Sequence, residues 1–366
     1  MNVIFIHNRA IWYRIPFFKR LANLYDAQFV FTHEKEVNGL DSINFIQLNT
    51  HFGIAFGLIP ILLRGDYDVI VVAGWSNLTE FIEGIICLAA AKIRGKPAIS
   101  WFEHWFPQLP DIRRRLAAPF IGFIMKRFSA CIAPGSKTKE LCINMGIEPE
   151  KIFVAPNASV LDKEKGLDVR KTLGLDGKKI ILYFSRVIPR KGLNYLIEAV
   201  SRLRKEGNSV FLLICGEGDF MDRCVSLCKK LEVEDVHFAG FIEPKNRYHY
   251  FSTANVFVLP TISLNGRVES WGLVLNEAMS VGKPVISTTA VASAYDLIEN
   301  GVNGFVVPDK DADSLYEALR TILSDHELEK TMGINSKKII DGGFTYDHMA
   351  NGFKQAIDYV LGIRVK

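Results

Sequence analysis

The stretch Val256–Pro284, VFVLPTISLNGRVESWGLVLNEAMSVGKP, contains the pattern that decides the fold of this chain. Its apolar start, Val256–Leu259, predicts a buried strand, and helical composition begins just after Gly272. Glu269 therefore falls in the loop at the mouth of a helix, and Glu277 falls inside the helix. A buried carboxylate needs a partner because an unpaired charge away from water is costly, and hydroxyl-rich ligands provide such partners. The stretch thus indicates a strand–loop–helix unit of an α/β enzyme that handles sugars.

The same alternation of apolar runs and helical stretches continues through almost all of the 366 residues. Continuous Val, Ile and Phe runs with helices between them are typical of parallel sheets covered on both faces. The predicted strands lie near Val3–Ile6, Gln28–Thr32, Asn44–Leu48, Val69–Ala73, Ala98–Phe102, Cys131–Ala133, Phe153–Ala155, Ile180–Phe184, Val210–Cys215, Val236–Ala239, Val256–Leu259, Val285–Ser287 and Gly304–Val306. Two consecutive sets of this kind predict two doubly wound α/β domains rather than one barrel.

The composition changes after Pro156-Asn157, where a polar, charged and glycine-punctuated stretch precedes the next strand. This change predicts a linker near 157–178 between a first domain, residues 1–160, and a second domain, residues 178–345. We expect the helical C-terminal segment, residues 346–366, to pack back on the first domain. Because ligands of doubly wound sheets bind beyond the carboxyl ends of the strands, the two domains are expected to face an interdomain cleft.

Composition argues against several classes of protein. The net charge of +4, without clustered basic faces and stacking aromatics, argues against a nucleic-acid partner. No apolar run reaches the roughly 18–20 residues that span a bilayer, and the N-terminus predicts a strand rather than a signal peptide. The six cysteines lack the ligand spacing of a zinc site, which predicts reduced structural thiols in a cytoplasmic protein.

Two cations lie where the strand Ile180–Phe184 leads into a helix: Arg186 at its carboxyl end, and Lys191 just before Gly192. This arrangement suits a diphosphate, because charge-assisted hydrogen bonds are strong and a helix N-terminus adds its own field. A solvated basic turn would give the same pattern.

Three further segments are candidate nucleotide contacts. Gly216, in CGEGD after the next strand, would let the backbone approach a phosphate or ribose, although a plain tight turn has the same sequence. The apolar loop in Phe238–Lys245 could receive a flat base. The helix start at Trp271–Leu273 offers backbone N–H groups to an anion.

The order S-R-x4-K-G, G-E-G, F-A-G, V-L-P…E-S-W-G-L-V-L-N-E-A-M-S-V-G-K-P and G-x-N-G-F-V-V-P, across about 180–345, resembles the retaining glycosyltransferases of family 4, which have the GT-B fold. The resemblance implies that Arg186 and Lys191 hold a donor diphosphate. It also implies that Glu277 binds the ribose hydroxyls and Glu269 the hydroxyls of the transferred sugar. The backbone amides implied to bind phosphate and sugar are those of Ser270, Trp271, Gly272 and Leu273, and the residues implied to flank the base are Phe241 and Ile242.

The first domain departs from the family pattern in two places. The family commonly has a Gly-Gly turn after the first strand, whereas His7–Phe18 contains no glycine, so Arg9 or Arg14 could replace the phosphate contact, or the loop could serve the acceptor. Many members also place a His near the donor sugar, six positions after a G-K-P turn. Here that position is Glu103, with His104 next to it, and either is a candidate catalytic residue or merely the end of a strand.

Neither a metal nor a further cofactor is expected. The Asp66-Tyr67-Asp68 triplet precedes a strand instead of ending one, and Asp309–Asp313 resembles helix-capping charge. Two segments, 112–128 and 52–64, join apolar residues to basic ones and could lie in the headgroup region of a membrane. Alternatively, each packs on its own domain. The resemblance tips the expectation toward peripheral attachment at the cytoplasmic membrane face.

The expected function is retaining, metal-independent transfer of a sugar from a nucleoside-diphosphate sugar to the hydroxyl of a glycan or lipid-linked glycan. A UDP-sugar is favoured as donor, with GDP-mannose next. One alternative is a nucleotide-sugar epimerase of similar architecture, although the paired glutamates argue against it. The other is a non-catalytic glycosyltransferase-like subunit, which the glycine-free first loop keeps open.

Overall fold

The computed structural model describes residues 1–33, 40–75, 77–105 and 112–363. The chain forms two compact units. The first consists of Met1–Asn157 with Tyr346–Lys366, and the second of Ala158–Thr345.

The first unit is built on one parallel sheet. Its strands are β1 (Asn2–His7), β2 (Asp26–Phe31), β3 (Phe45–Gln47), β4 (Val69–Ala73), β5 (Ala98–Trp101), β6 (Ala130–Ala133) and β7 (Ile152–Val154). They lie in the order β3-β2-β1-β4-β5-β6-β7. The chain direction across the sheet reverses between β1 and β4, and such a switch point is where sheets of this kind bind ligands.

Helices flank this sheet. They are α1 (Ile15–Leu24), α2 (Leu58–Arg64), α3 (Leu78–Ile93), α4 (Ile112–Met125), α5 (Ser136–Asn144) and the C-terminal helix (Tyr346–Val360). The C-terminal helix belongs to this unit because Phe353 is fully buried against aromatic rings. Its ring centroid lies 4.8 Å from that of Phe17 and 4.9 Å from that of Trp101.

The second unit repeats the plan with a second parallel sheet. Its strands are β8 (Lys179–Phe184), β9 (Val210–Cys215), β10 (Val236–Gly240), β11 (Val256–Leu259), β12 (Val285–Thr288) and β13 (Gly304–Val307), in the order β10-β9-β8-β11-β12-β13. Its helices are α6 (Val169–Thr172), α7 (Leu193–Lys205), α8 (Met221–Lys230), α9 (Arg247–Thr253), α10 (Val274–Ser280), α11 (Ala294–Leu297), α12 (Ala312–Ser324) and α13 (His326–Gly343). The switch point lies between β8 and β11.

The doubly wound α/β prediction is confirmed, and each predicted strand has its counterpart. Every residue of β4, β5, β9, β11 and β12 is buried. Along β8, Ile181 and Tyr183 belong to one hydrophobic cluster, whereas Ile180, Leu182 and Phe184 belong to another. Helices therefore cover both faces of the sheet, which is why its strands are apolar without alternation.

Among the described residues, no helix combines the length and the apolar composition that crossing a bilayer requires.

Candidate active site

The second unit brings two of the motif-containing loops together at its switch point. Because β8 and β11 are paired neighbours, the loop after β8 lies beside the loop after β11. The backbone N–H of Ile262 in the second loop donates to the carbonyl of Arg190 in the first, at 2.8 Å. Lys191 and Glu269, one from each loop, are thereby held at the same edge of the sheet.

Glu269 is the centre of a partly buried ion cluster. Its Oε2 accepts from Lys191 Nζ at 2.5 Å and from Arg190 Nη1 at 3.0 Å. Burial alone would raise the pKa of the Glu269 carboxyl, but the charges and hydrogen bonds of Lys191 and Arg190 hold the pKa below its ordinary value. Glu269 is therefore a carboxylate at neutral pH.

The cluster carries excess positive charge. Burial lowers the pKa of Lys191, and the Glu269 carboxylate opposes that shift. Arg190 also donates to the carbonyl of Val268 at 3.0 Å, and Arg186 lies exposed just after β8. Three cations with one carboxylate leave a net positive edge, which suits an anion such as a diphosphate.

Gly192 permits the approach of the two loops. Its φ is +66°, and a Cβ there would lie 1.9 Å from the carbonyl oxygen of Pro260. A side chain at this position would push the two loops apart and separate Lys191 from Glu269. The glycine after Lys191 thus has a packing role that the sequence motif alone does not reveal.

Gly216 has a comparable packing role. A Cβ there would lie 1.9 Å from the carbonyl oxygen of Ser185, and Val187 N–H donates to the Glu217 carbonyl at 2.8 Å. The loop after β9 therefore packs against the backbone of the loop after β8. The close approach that this glycine allows is to the chain itself, which accounts for the G-x-G spacing without a ligand.

The main chain around Glu269 is fixed by the loop after β12. Glu269 N–H donates to the Ala290 carbonyl, and Ala292 N–H donates to the Glu269 carbonyl, both at 2.9 Å. Within the described part of the chain, the N–H groups of the four residues that follow, 270–273, donate to no backbone carbonyl. Trp271 is buried, with its indole N–H donating to Asn276 Oδ1 at 2.9 Å.

Glu277 lies on α10 and is 2% exposed. Its Oε1 accepts from the Ser159 hydroxyl at 2.9 Å, and its Oε2 is paired with Arg247. Burial raises the pKa of Glu277, and Arg247 works against that rise. The carboxylate that was expected to need a ligand as partner therefore already has two partners within its own unit.

The predicted base-binding loop presents one exposed ring. Phe241 is 67% exposed, and its backbone N–H donates to the Glu217 carboxylate at 3.2 Å. Ile242 packs into the core of the second unit. Phe241 is thus the side chain of this pair that can stack on a base.

The first unit has its own polar cluster, at the ends of β1 and β5. Buried Arg14 donates to Glu103 at 2.5 Å and to Asn157 Oδ1 at 2.8 Å, and its guanidinium lies 4.8 Å from the ring centroid of Trp101. Burial would raise the pKa of Glu103, but the charge of Arg14 and hydrogen bonds from Asn157 and Arg14 hold that pKa below its ordinary value. Arg14 is committed to Glu103 and Asn157, which leaves Arg9 as the exposed arginine of the first loop.

Two histidines flank this cluster. Burial and the nearby Arg14 charge lower the pKa of His7 to about 4, so His7 is neutral at physiological pH. Its Nδ1 accepts from the backbone N–H of Arg9 at 3.1 Å. His104 is half-buried, with its ring edge-on to Phe102 at 5.3 Å.

Among the described residues, no group of three or more His, Cys, Asp or Glu side chains could hold a metal ion. Asp66 and Asp68 instead bind Asn2 at the start of β1, each at 3.0 Å. Asp311 caps α12 by accepting from Ser314 N–H at 2.9 Å, as its position after the last strand suggests.

Sequence reasoning missed Arg190, Arg247, Ser159 and Asn157. Arg190 had a signal, because it adjoins Lys191 in the P-R-K stretch. Arg247 and Ser159 lie 30 and 118 positions from Glu277, so no local pattern connects them to it.

Two family models match the chain in succession. Residues 7–163 match Glycosyltransferase Family 4, and residues 164–339 match Glycosyl transferases group 1. The uncharacterized glycosyltransferase MJ1607 of Methanocaldococcus jannaschii is 31% identical over 192 residues, which are 52% of this chain and 47% of that protein. The chain thus spans about half the length of the curated relatives it matches first.

Two other proteins are similar over more of the chain. A GDP-mannose-dependent alpha-(1-6)-phosphatidylinositol monomannoside mannosyltransferase of Mycolicibacterium smegmatis is 26% identical over 284 residues, 74% of this chain and 72% of that protein. The structure of Anabaena Alr3699/HepE with UDP and glucose superimposes with a TM-score of 0.75 at 20% identity, covering 97% of this chain and 99% of that one.

The likeness to HepE, together with the two doubly wound sheets, identifies the GT-B fold. The two consecutive family matches cover residues 7–339, and the second match includes the loops with Lys191 and Glu269 and the helix α10 with Glu277. The chain therefore belongs to glycosyltransferase family 4, among the group 1 glycosyl transferases.

Proposed function

We propose that this chain is an active glycosyltransferase that moves a sugar from a nucleoside-diphosphate sugar to a hydroxyl of a glycan or lipid-linked glycan. The observation that carries the proposal is the ion cluster of Lys191, Arg190 and Glu269 at the switch point of the second sheet. A cationic site of this kind suits a donor diphosphate, and a neighbouring carboxylate suits sugar hydroxyls.

The favoured donor is a UDP-sugar. HepE, whose fold this chain shares, was solved with UDP and glucose. GDP-mannose comes next, because the M. smegmatis relative is GDP-mannose-dependent. In this proposal Glu277 binds the ribose hydroxyls and Phe241 stacks on the base. The backbone amides of residues 270–273 bind the phosphate and the sugar.

The proposed chemistry is electrostatic and needs no metal. As the bond between the anomeric carbon and the β-phosphate oxygen loosens, Arg186, Arg190 and Lys191 stabilise the charge on the departing diphosphate. The acceptor oxygen attacks the same face of the sugar, and the departing phosphate oxygen takes its proton, so the configuration is retained. Glu269 is bound by two cations, which favours a positioning role over that of a covalent nucleophile.

The acceptor is assigned to the first unit, where Glu103 and His104 follow β5. Arg14 keeps Glu103 ionised and oriented, so Glu103 is the better candidate for a hydrogen bond with an acceptor hydroxyl. His104 remains the second candidate.

An exposed apolar surface of the first unit supports contact with a membrane. Phe52 is 99% exposed, and its turn lies against α3, where a Cβ at Gly53 would be 3.2 Å from Thr79. On the same helix, Phe81 contacts the ring of exposed Phe120 at 5.6 Å. Segments 52–64 and 119–128 are thus joined through α3. The side chains of residues 112–118 lie outside those described.

This surface combines exposed rings with positive charge. Phe56, Leu78 and Phe123 are exposed as well, and Lys126 and Arg127 lie exposed at the end of α4. Rings beside basic groups are typical of surfaces that rest in the headgroup region of anionic membranes. The other face of α4 packs on its own unit through Ile124 and Met125, which leaves the exposed face for the proposed membrane contact.

Calorimetric titration of the purified protein with UDP, GDP and ADP in EDTA tests the donor site. We expect micromolar binding of one nucleotide, weakened about tenfold or more in Glu277→Ala, as for a lost charged hydrogen bond. Product analysis then separates the reactions, since a transferase releases free nucleoside diphosphate and an epimerase releases a rearranged nucleotide sugar. Absence of nucleotide binding would contradict the donor assignment and favour a non-catalytic subunit.

A further inference from the structure

The buried carboxylate of Glu277 is held by two residues that no motif includes. Ser159 donates to Oε1 at 2.9 Å, and Arg247 pairs with Oε2. Ser159 is 1% exposed, and the Arg247 side chain is 13% exposed. Both oxygens of the carboxylate therefore have a fixed direction before any ligand arrives.

Arg247 also contacts an aromatic ring. It is the first residue of α9, and its guanidinium lies 4.2 Å from the ring centroid of Phe184 at the end of β8. Phe184 in turn stacks on Phe251 of α9 at 4.8 Å. The charge of Arg247 is thus fixed between the end of β8 and α10, where Glu277 lies.

Ser159 lies where the chain passes from one unit to the other. Asn157 is the last residue of the first unit before the crossing, and Ser159 is the second residue of the second unit. Two residues further on, Leu161 N–H donates to the Ser280 hydroxyl at 3.1 Å, and that hydroxyl donates to the Glu277 carbonyl at 2.8 Å. The crossing segment is therefore bonded to α10 at two points.

We propose that Arg247 and Ser159 are positioning residues for nucleotide binding, with Arg247 keeping the Glu277 carboxylate ionised and Ser159 aligning it from the crossing segment. The proposal rests on the proposed function, in which Glu277 accepts hydrogen bonds from the ribose.

The physical reason is the cost of a buried charge. An ionised carboxylate is only an acceptor and can accept from both hydroxyls of a ribose diol, whereas protonation makes one of its oxygens a donor. Burial raises the pKa of Glu277, and Arg247 is the charged group that opposes the rise. The nearby thiol of Cys215 stays neutral, because burial raises its pKa. Without Arg247, Glu277 would take up a proton at a higher pH.

The test is the pH dependence of UDP affinity, or of GDP or ADP if the wild type binds one of these instead. Calorimetry between about pH 5.5 and 8.5 compares the full-length wild type with Arg247→Met, Arg247→Lys, Ser159→Ala and Ser280→Ala. The ratio of each variant's Kd to that of the wild type cancels the titration of the nucleotide itself. Ser280→Ala is the matched control, because it removes a neighbouring buried hydroxyl that does not touch the carboxylate.

We expect Arg247→Met to weaken UDP binding about tenfold at neutral pH, with a Kd ratio that grows as the pH falls. Arg247→Lys should retain most of the affinity, and its Kd ratio should change less with pH. Ser159→Ala should weaken UDP binding several-fold more than Ser280→Ala does. If Arg247→Met does not fold, the comparison of these two serine variants tests the proposal.

A Kd ratio that stays constant with pH, or equal effects of Ser159→Ala and Ser280→Ala, would overturn the proposal while the proposed function stands. Failure of the wild type to bind any of the three nucleotides would instead remove the proposed function, and this proposal with it.

Discussion

Lys191 Nζ donates to Glu269 Oε2 at 2.5 Å, although the two residues lie 78 positions apart in the chain. The pair joins the loops that follow two neighbouring strands, at the point where the strand order of the second sheet reverses. A diphosphate entering this edge of the sheet would meet a cation whose charge is already shared with a carboxylate. Glu269 therefore sets both the position of Lys191 and the charge that the proposed donor would encounter.

Replacement of Glu269 distinguishes a positioning role from covalent catalysis. We expect Glu269→Ala and Glu269→Gln to retain a measurable fraction of transfer, because the cations that stabilise the leaving diphosphate remain. The measurement is the rate at which free nucleoside diphosphate appears from the donor sugar, with extracted glycolipid or water as acceptor. Loss of all release in both variants, with nucleotide affinity unchanged, would identify Glu269 as the nucleophile.

Replacement of Gly192 should destabilise the second unit more than its backbone conformation alone explains. Gly192→Ala places a Cβ 1.9 Å from the Pro260 carbonyl oxygen at a φ of +66°. Gly177→Ala is the matched control, because Gly177 has a φ of +76° and open space around it. We expect the control to lower the free energy of unfolding by about 1 kcal/mol and Gly192→Ala to lower it clearly more. Equal shifts in the thermal midpoints of the two variants would show that the loops do not need this close approach.

The two glutamates of the motif should affect stability with opposite dependence on pH. The folded-state pKa of Glu269 lies below its ordinary 4.5, so its ionised form stabilises the fold above that pH and the contribution is lost as the pH falls through the lower value. Burial raises the pKa of Glu277, so ionisation costs stability as the pH rises from 4.5 through the raised value.

Urea unfolding of Glu269→Gln and Glu277→Gln between about pH 4 and 8 measures this contrast. Relative to the wild type, Glu269→Gln should lose most stability near neutral pH and less toward pH 4. Glu277→Gln should become relatively more favourable as the pH rises. Parallel curves for the two variants would contradict the opposite environments of the two carboxyls.

The proposed membrane contact predicts that loss of the exposed rings weakens binding to vesicles without unfolding the first unit. Phe52 is 99% exposed at a φ of +53°, a conformation that asparagine tolerates better than phenylalanine. We expect Phe52→Asn combined with Phe120→Ser to reduce binding to anionic phospholipid vesicles by about tenfold or more, from the apolar area no longer inserted. Cosedimentation measures the bound fraction.

Ile334→Ser serves as control, because Ile334 is 49% exposed but lies on α13 in the second unit. The same loss of binding in that control, or no loss in the ring variants, would argue against the surface around α3.

Much of the fold could be predicted because five of the strands, β4, β5, β9, β11 and β12, are buried along their whole length. A strand such as β9, with every residue buried, must be apolar throughout, and such an apolar run can be recognised from the residues of the strand alone. The positions of Lys191, Glu269 and Glu277 relative to strands and helices could be predicted for the same reason. The sequence marked Gly192 and Gly216 as candidate site positions. It did not show that each is needed because a neighbouring loop packs against it.

Local sequence patterns thus specify two sets of alternating strands and helices, and they show which motif residues lie near strand ends. The partners of the buried charges are visible only in the folded chain: Glu269 with Lys191 and Arg190, Glu277 with Arg247 and Ser159, and Glu103 with Arg14. The difference arises because hydrophobic periodicity depends on a few neighbouring residues, whereas a buried charge pairs with residues that are distant in sequence. Which residues these are depends on which loops meet at the edge of the folded sheet.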